Sequence, residues 1–184
     1  MDRNSWLAFA GGASIGLMAG RLLPPFVSQG IASLESARGK DWFDVLAGDH
    51  RDFSHLLAQM IQSRGRGTAY RAQLFLRLKR GLAAHATAEE DVIYPLLREE
   101  AGAEGAAARF YGEHGRIKTH LYALERLIGD EAAWIARAAD LRMLIERHAR
   151  EEEEVEFPRL RALMDEEEMK RVARHVRREK SMIL

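Results

Sequence analysis

Apolar residues recur at alternating steps of three and four positions in four successive stretches of the chain. This spacing places them on one face of an α-helix. Glycines lie between the stretches, at Gly65 and Gly67, at Gly102 and at Gly129. Four amphipathic helices with short connections predict an all-α fold, an antiparallel up-down-up-down four-helix bundle. The predicted helices cover residues 42–63, 68–100, 104–128 and 131–157.

The apolar side of each predicted helix supplies the expected core of the bundle. Its positions are Leu46, Phe53, Leu57 and Met60 in the first helix, Phe75, Leu78, Leu82, Val92 and Leu96 in the second, Ala107, Phe110, Ile117, Leu121, Leu124 and Ile128 in the third, and Trp134, Ala138, Leu141, Ile145 and Val155 in the fourth. Pro95 is expected to bend or locally disrupt the second helix, because proline lacks the N–H that a helix needs. A fifth helix over residues 165–180 would place Met169, Val172 and Val176 on one face.

These patterns divide the chain into three parts: residues 1–40, a bundle over residues 41–165, and a C-terminal helix and tail over residues 166–184. In the first part, residues 4–20 carry no charge, and the apolar stretch continues to Leu23. A helix of about 20 residues spans about 30 Å, the thickness of the hydrocarbon core of a bilayer. Gly12, Gly16 and Gly20 form a ridge of small residues through which two such helices could pack as a homo-oligomer.

We interpret residues 4–23 as a membrane anchor. Only Arg3 precedes this segment, whereas Arg21, Arg38 and Lys40 follow it, so the positive-inside tendency predicts a cytoplasmic domain at the inner face of the cell membrane. Two alternatives remain open: a hydrophobic arm that packs on the domain or on a second subunit, and a secretory signal.

The composition restricts the partners and the kinds of metal site. Lys plus Arg and Asp plus Glu both number 28, and without a basic excess we expect no nucleic acid partner. The 184 residues include no cysteine, which excludes disulfides, thiolate metal ligands and a cysteine nucleophile. A transition metal must therefore be held by imidazole and carboxylate, which suit iron, manganese and zinc.

Six positions on the apolar faces carry polar side chains instead. They are His50, His85, Glu89, His114, His148 and Glu152, and each of the four helices contributes at least one. Burying such groups is unfavourable unless they are hydrogen-bonded, paired or bound to a cation. Counted from the predicted turns, the four histidines lie at similar depths, so their rings can meet in one layer. A metal centre would satisfy all six residues, while core histidines held by hydrogen bonds alone are the competing interpretation.

Two of the helices repeat one pair, an imidazole followed four residues later by a carboxylate. That spacing puts both groups on one helix face, which suits chelating one ion or bridging two. The pairs lie within HATAEEDVIYP at residues 85–95 and HAREEEEVEFP at residues 148–158, and Asp49-His50 and Glu113-His114 lie in the other two helices. Over roughly residues 40 to 165 the sequence resembles the hemerythrin-like HHE cation-binding family.

The resemblance implies two iron ions joined by an oxo or hydroxo bridge, with manganese or zinc as less favoured alternatives. Glu89 and Glu152 would bridge the ions, and the terminal ligands would be His50, His85, His114 and His148. Oxygen-carrying hemerythrins have a further histidine one turn after the one aligned with His114, where this chain has Lys118. The missing ligand argues against reversible oxygen carriage but leaves a coordination position for an exogenous ligand or redox chemistry.

Other polar candidates are assigned to the surface or to packing. We place His55, His120 and His175 at the surface. Tyr94, Tyr111 and Tyr122 are expected to pack at the edge of the core, with hydrogen bonds to ligands as the alternative. Glu90 and Glu153 follow proposed ligands, point about 100° away from them, and are expected in solvent, with Glu153 as the substitute if Glu152 is not a ligand. Asp49 is a candidate for orienting a ligand.

We therefore expect a non-haem di-iron protein that binds or senses a small diatomic ligand such as O2 or NO, or that reports iron or oxidative state in a stress response. The alternative is a di-iron enzyme that acts on peroxide or nitric oxide, and the sequence leaves open whether the chain is an enzyme. A third hypothesis is a membrane scaffold with a vestigial site.

Overall fold

The computed structural model describes residues 41–183, which form helices joined by short connections. Three helices are regular: α1 covers Trp42–Ile61, α3 covers Glu104–Arg126 and α5 covers Glu166–Ile183. The other two, α2 and α4, each contain a π-helical turn between two α-helical segments. In chain order these segments are Gly67–Ala88, Glu89–Ile93 and Tyr94–Glu99 in α2, and Glu131–Glu151, Glu152–Glu156 and Phe157–Arg161 in α4.

Side-chain caps and glycines define the ends of several helices. The side chain of Asp41 accepts a hydrogen bond from the backbone N–H of Asp44 (2.9 Å) at the start of α1. Asp130 does the same for Ala133 (3.1 Å) at the start of α4. Such caps satisfy N–H groups that have no partner within the helix. In the turn after α2, Gly102 has a φ of 60°, a conformation that glycine adopts without a steric penalty.

The first four helices form the predicted bundle. Helix α1 packs against α2 and α4, and α3 packs against α4 and the C-terminal segment of α2. Helix α5 covers α1 and α2 from outside and inserts Val172, Ala173 and Val176 into the core. The core consists of two apolar clusters, one around Trp42, Phe110 and Phe157 and the other around Phe75, Leu78 and Trp134.

The two π-helical turns change which side chains face the core. At their ends, the backbone N–H of Tyr94 bonds to the carbonyl of Glu89, and that of Phe157 bonds to the carbonyl of Glu152. Each bond spans five residues instead of four, so the turn takes in one additional residue. Each turn is followed by a proline at the start of the next α-helical segment, Pro95 or Pro158. The predicted local disruption at Pro95 is therefore confirmed, and a second one occurs in α4.

Three predicted core positions are wrong for this reason. Val92 and Leu96 are only partly buried, and Ile93 and Leu97 take their places in the core. Val155 is exposed, while Glu156 and Phe157 are buried. An additional residue in one turn shifts every later side chain by one position around the helix.

The apolar segment predicted as a membrane anchor or oligomer contact, with its ridge at Gly12, Gly16 and Gly20, lies outside the described residues. Within residues 41–183, none of the helices combines the length and the apolar character that crossing a membrane requires. The predicted fifth helix is present and extends to Ile183.

Candidate metal centre

The six polar residues on the apolar faces of the predicted helices meet in one buried layer between the two apolar clusters. None of their side chains is more than 4% exposed. Their nitrogen and oxygen atoms form two groups compact enough to hold a metal ion: His50, His85, Glu89 and Glu152, and Glu89, His114 and His148. Within each group the donor atoms lie within 4.8 Å of one another. The sequence therefore identified the residues that the structure brings together.

In the first group the two rings lie close to each other and to the central carboxylates. His50 Nε2 lies 3.0 Å from His85 Nε2 and 3.4 Å from Glu152 Oε2. His85 Nε2 lies 3.1 Å from Glu89 Oε2. All these nitrogens are Nε2 atoms, so both rings present the same edge to the interior of the layer.

The second group shares a carboxylate with the first. Glu89 Oε2 also lies 3.3 Å from His114 Nε2, so this one oxygen contacts a histidine of each group. Glu152 Oε2 lies 3.4 Å from His148 Nε2 as well as from His50. Glu89 and Glu152 therefore stand between the two pairs of histidines.

Several donor atoms in this layer lack a hydrogen bond although they are buried. Among the described residues they include Glu89 Oε1, His148 Nε2 and Glu152 Oε2. A buried carboxylate oxygen without a partner is strongly unfavourable, and a bound cation removes that cost. The atoms are nitrogen and oxygen only, which fits iron, manganese or zinc. The residues present therefore fit a metal centre.

Four further carboxylates hold the histidines from outside. Each accepts a hydrogen bond from the Nδ1–H of one ring, because an ionised carboxylate can only accept. The contacts are Glu153 to His50 at 2.7 Å, Asp49 to His85 at 3.1 Å, Glu90 to His114 at 2.8 Å and Glu113 to His148 at 2.8 Å. A proton on Nδ1 leaves Nε2 available inside the layer, which is how carboxylates orient metal-binding histidines.

These carboxylates follow a regular order around the bundle. Asp49 of α1 supports the ring on α2, Glu90 of α2 supports the ring on α3, Glu113 of α3 supports the ring on α4, and Glu153 of α4 supports the ring on α1. Asp49 contacts His85, as its predicted place beside a ligand requires, whereas Glu90 and Glu153, which were expected in solvent, contact His114 and His50. A residue next to a ligand is rotated from it by about 100° around the helix axis and so faces the adjacent helix.

Three of these carboxylates also contact a basic side chain. Lys180 on α5 donates to Asp49, Lys118 donates to Glu90 at 3.0 Å, and Arg116 donates to Glu113 at 3.0 Å. The position where oxygen-carrying hemerythrins have a histidine is thus turned away from the layer, since the Lys118 side chain is 63% exposed. The contact between Lys180 and Asp49 connects α5 to His85.

Protons occupy the layer in the metal-free protein. Burial lowers the pKa of His85, but Glu89 and Asp49 outweigh it and raise the pKa to about 9. Burial also lowers the pKa of His114, but Glu89 and Glu90 outweigh it and raise the pKa to about 9. Burial raises the pKa of Glu89, yet the adjacent His85 and His114 bring it well below its usual value. In the metal-free protein, the cationic rings of His85 and His114 and the anionic carboxylate of Glu89 therefore stabilise one another at the place where a metal ion would bind.

Tyr94 lies inside the layer and not at the edge of the core, where the sequence predicts it. Its hydroxyl donates to Glu152 Oε1 at 2.7 Å and lies 3.2 Å from Glu89 Oε2 and 3.1 Å from His114 Nε2. Burial and both carboxylates raise the pKa of Tyr94 well above its usual value, so the phenol keeps its proton. The corresponding residue of α4, after the same His-x-x-x-Glu spacing, is Phe157. The hydroxyl therefore makes the two halves of the centre different.

The other predicted candidates lie outside the layer. His55 and His175 are exposed, as predicted, and His120 is partly buried. Tyr111 donates to the backbone carbonyl of Glu90 at 2.7 Å, one residue from the layer. Tyr122 is exposed.

The chain is similar in sequence to curated proteins of two organisms. A protein named DNA nickase from Nostoc sp. is 28% identical over 140 residues, which is 76% of this chain and 39% of the relative. An uncharacterized hemerythrin-like protein from Schizosaccharomyces pombe is 30% identical over 104 residues, 55% of this chain and 51% of the relative. The chain thus spans about half or less of these curated relatives. No solved structure matches it significantly.

The profile that describes the Hemerythrin HHE cation binding domain matches residues 41–160. The matched region contains all six residues of the buried layer and ends within the last segment of α4. It leaves out α5, which packs on the matched part. The chain belongs to the hemerythrin HHE cation-binding domain family.

Proposed function

We propose that this chain is a non-haem di-iron protein that binds or senses a small diatomic ligand such as O2 or NO. The observation that carries the proposal is the pair of donor groups that meet at Glu89, which is fully buried. A single ion would leave part of the buried nitrogen and oxygen donors unsatisfied, whereas two ions can engage both groups. Iron is our choice among the metals because of the family to which the chain belongs.

The orientation of Lys118 supports binding of an exogenous ligand. Its amine contacts Glu90 at the surface, and the side chain does not enter the layer. The second group therefore contains one histidine from α3, His114, and one from α4, His148. Fewer protein ligands on one ion leave room for a small molecule.

A bound iron pair would supply Lewis acidity and redox chemistry to this layer. The protein's own contribution is to position the rings and to hold a proton. Asp49, Glu90, Glu113 and Glu153 fix the ring orientations. The Tyr94 hydroxyl keeps a proton beside both central carboxylates.

Optical spectroscopy of the iron-loaded chain tests the proposal. Addition of NO or O2 should change the absorption in the near-ultraviolet and visible range, with one ligand bound per centre. Glu89→Gln should abolish this change, and Glu154→Gln, an exposed position in the same run of glutamates as Glu152, should retain it. No spectral response in the wild-type chain with full iron content would contradict the proposal.

A di-iron enzyme that acts on peroxide or nitric oxide is the second candidate. Tyr94 favours it, because its buried hydroxyl, 2.7 Å from a central carboxylate, is a fixed hydrogen-bond donor at the place where a substrate would bind. Steady consumption of peroxide or NO that is lost in Glu89→Ala and Glu152→Ala would support an enzyme. Stoichiometric binding without turnover would favour the binding protein.

Nucleic acid is not part of the proposal, although one relative is named a DNA nickase. The chain has equal numbers of acidic and basic residues, 28 of each, and so lacks a basic excess that would attract phosphates. Incubation with supercoiled plasmid should therefore leave the plasmid intact. Nicking that requires the bound metal would overturn this expectation.

We further propose that residues 4–23 anchor the domain to the inner face of the cell membrane, with Gly12, Gly16 and Gly20 at a contact between two copies. Gly16→Leu should reduce helix association or membrane retention because a large side chain prevents close approach. Iron content should stay the same. Unchanged retention and unchanged oligomeric state in this variant would count against the anchor.

A further inference from the structure

A cavity of about 330 Å³ extends from the surface between α2 and α3 to the buried histidines. All four bundle helices contribute to its lining. His50, His85, His114 and His148 lie at its inner end, and Lys79, Lys118, Tyr122 and Glu125 lie at its outer end. Its walls are formed mainly by Phe53, Leu82, Ile117, Leu121 and Ile145.

The volume exceeds what a diatomic ligand needs. One water molecule occupies about 30 Å³ in the liquid, and a cavity of about 150 Å³ in a protein core binds benzene. Pockets for organic ligands begin at about 300 Å³. At about 330 Å³, this cavity has the size of a site for a small organic molecule. Because its walls are apolar, they favour an apolar body over a hydrated polar one.

The charges at the mouth are paired with each other. Lys79 on α2 donates to Glu125 on α3 at 2.8 Å, and Lys118 on α3 donates to Glu90 on α2 at 3.0 Å. Both pairs connect the two helices that border the opening. A charged ligand entering here would lose hydration and meet cations and anions that are already neutralised. The mouth therefore provides no selectivity for charged molecules.

From this geometry we propose that the cavity binds an uncharged, mainly apolar organic molecule of about ten non-hydrogen atoms with one terminal hydroxyl or hydroperoxide oxygen. The apolar body lies against Phe53, Ile117 and Leu121, and the oxygen points toward the histidines. The proposal deepens the function proposed above and relies on it only for the metal that the oxygen would meet. Because protein side chains form the apolar walls of the cavity, binding of the organic molecule can be measured without iron.

Binding of 4-isopropylbenzyl alcohol to the full chain tests this inference. We expect saturable binding in calorimetry. In methyl NMR of the zinc-loaded chain, the probe should shift resonances of Leu82, Ile117, Leu121 and Ile145. Ala86→Leu adds a branched side chain to the lining and should weaken binding at least tenfold. Ala136→Leu, the same change at an exposed position on α4, should bind like the wild type.

A second variant protects the test against misfolding. Ala83 lines the cavity but is exposed, so Ala83→Leu should also weaken binding while leaving the helical circular dichroism intact. Equal affinity in wild type, Ala86→Leu and Ala83→Leu, or shifts confined to methyl groups outside the cavity, would overturn the inference.

The outcomes also separate this inference from the proposed function. A wild-type chain that holds iron and responds to NO, but does not bind the probe, would show that the cavity admits only diatomic ligands and water. The inference would then be wrong and the proposed function would stand. Probe binding at the lining methyl groups in a chain that takes up no iron would support the cavity site and contradict the di-iron function.

Discussion

Each histidine of the buried layer has one nitrogen facing inward and one facing a carboxylate. The outer nitrogens contact Asp49, Glu90, Glu113 and Glu153 at 2.7 to 3.1 Å. These contacts fix the direction of each ring before any ion binds, and they keep a proton on Nδ1 when the ring gives up the proton on Nε2. Since metal affinity depends on this orientation, the outer carboxylates should matter almost as much as the residues that touch the metal.

Glu153→Gln tests this role at one position. The amide retains an oxygen but loses the charge that supports His50, so zinc affinity should fall about 10- to 100-fold. Competition with a chelator measures the affinity. Glu154→Gln removes the same charge from an exposed neighbour and should have little effect. Equal affinities in the two variants would show that the contact with His50 has no role in metal binding.

Tyr94 gives a second prediction at the residue scale. In the metal-free chain, Tyr94→Phe should lower the free energy of unfolding by about 2 kcal/mol, because the buried Glu152 carboxylate loses a hydrogen-bond donor. Urea denaturation measures this difference. Tyr122→Phe removes the hydroxyl of an exposed tyrosine and serves as the control. A smaller effect for Tyr94→Phe than for Tyr122→Phe would contradict the assigned hydrogen bonds.

At the scale of the helices, the two π-helical turns determine the geometry of the centre. Each begins at a central glutamate, Glu89 or Glu152, and precedes a proline. The periodicity of the sequence located the five helices of residues 41–183 and the six polar residues that meet. It could not predict that the hydrogen-bond pattern changes after Glu89 and Glu152, because a simple helical repeat assumes a constant rotation per residue. The errors at Val92 and Val155 lie within the turns, and the error at Leu96 lies after the first turn.

Helix α5 lies beyond the matched family profile, yet it supplies buried residues to the bundle. Val176→Ala should lower the free energy of unfolding by about 2 kcal/mol, the usual cost of removing two buried methyl groups. The unfolding transition should remain cooperative, because α5 packs directly on α1 and α2. His175→Ala changes an exposed neighbour and should cost less than about 0.5 kcal/mol. Two separate transitions in the wild type would show that α5 is not part of the folded unit.

At the scale of the whole molecule, the layer lies between two apolar clusters and is reached through the cavity between α2 and α3. The sequence predicted which residues could meet because apolar spacing and depth from the turns are local quantities. It pointed to Asp49 but did not reveal the contacts of Glu90, Glu113 and Glu153 or the position of Tyr94, since these depend on contacts between different helices. A scan for acidic residues adjacent to the proposed ligands would have found all four carboxylates.

The protonation of the layer makes metal uptake depend on pH. Both His85 and His114 have a pKa raised to about 9, so at neutral pH the metal-free rings carry protons that a metal must displace. Zinc binding should therefore release protons at about pH 7, and the affinity should increase from about pH 6 to about pH 8. Calorimetry in two buffers of different ionisation enthalpy measures the release. An affinity that falls over this range would contradict the assigned protonation.

The most direct test of the central claim is the number of irons per chain in the wild type and in Glu89→Gln. We expect two irons per wild-type chain, because both donor groups share the Glu89 carboxylate, and its replacement should leave at most one iron with comparable affinity. Metal analysis after anaerobic reconstitution and removal of loosely bound iron gives this number. One iron in the wild type, or two in both proteins, would contradict a centre built around Glu89.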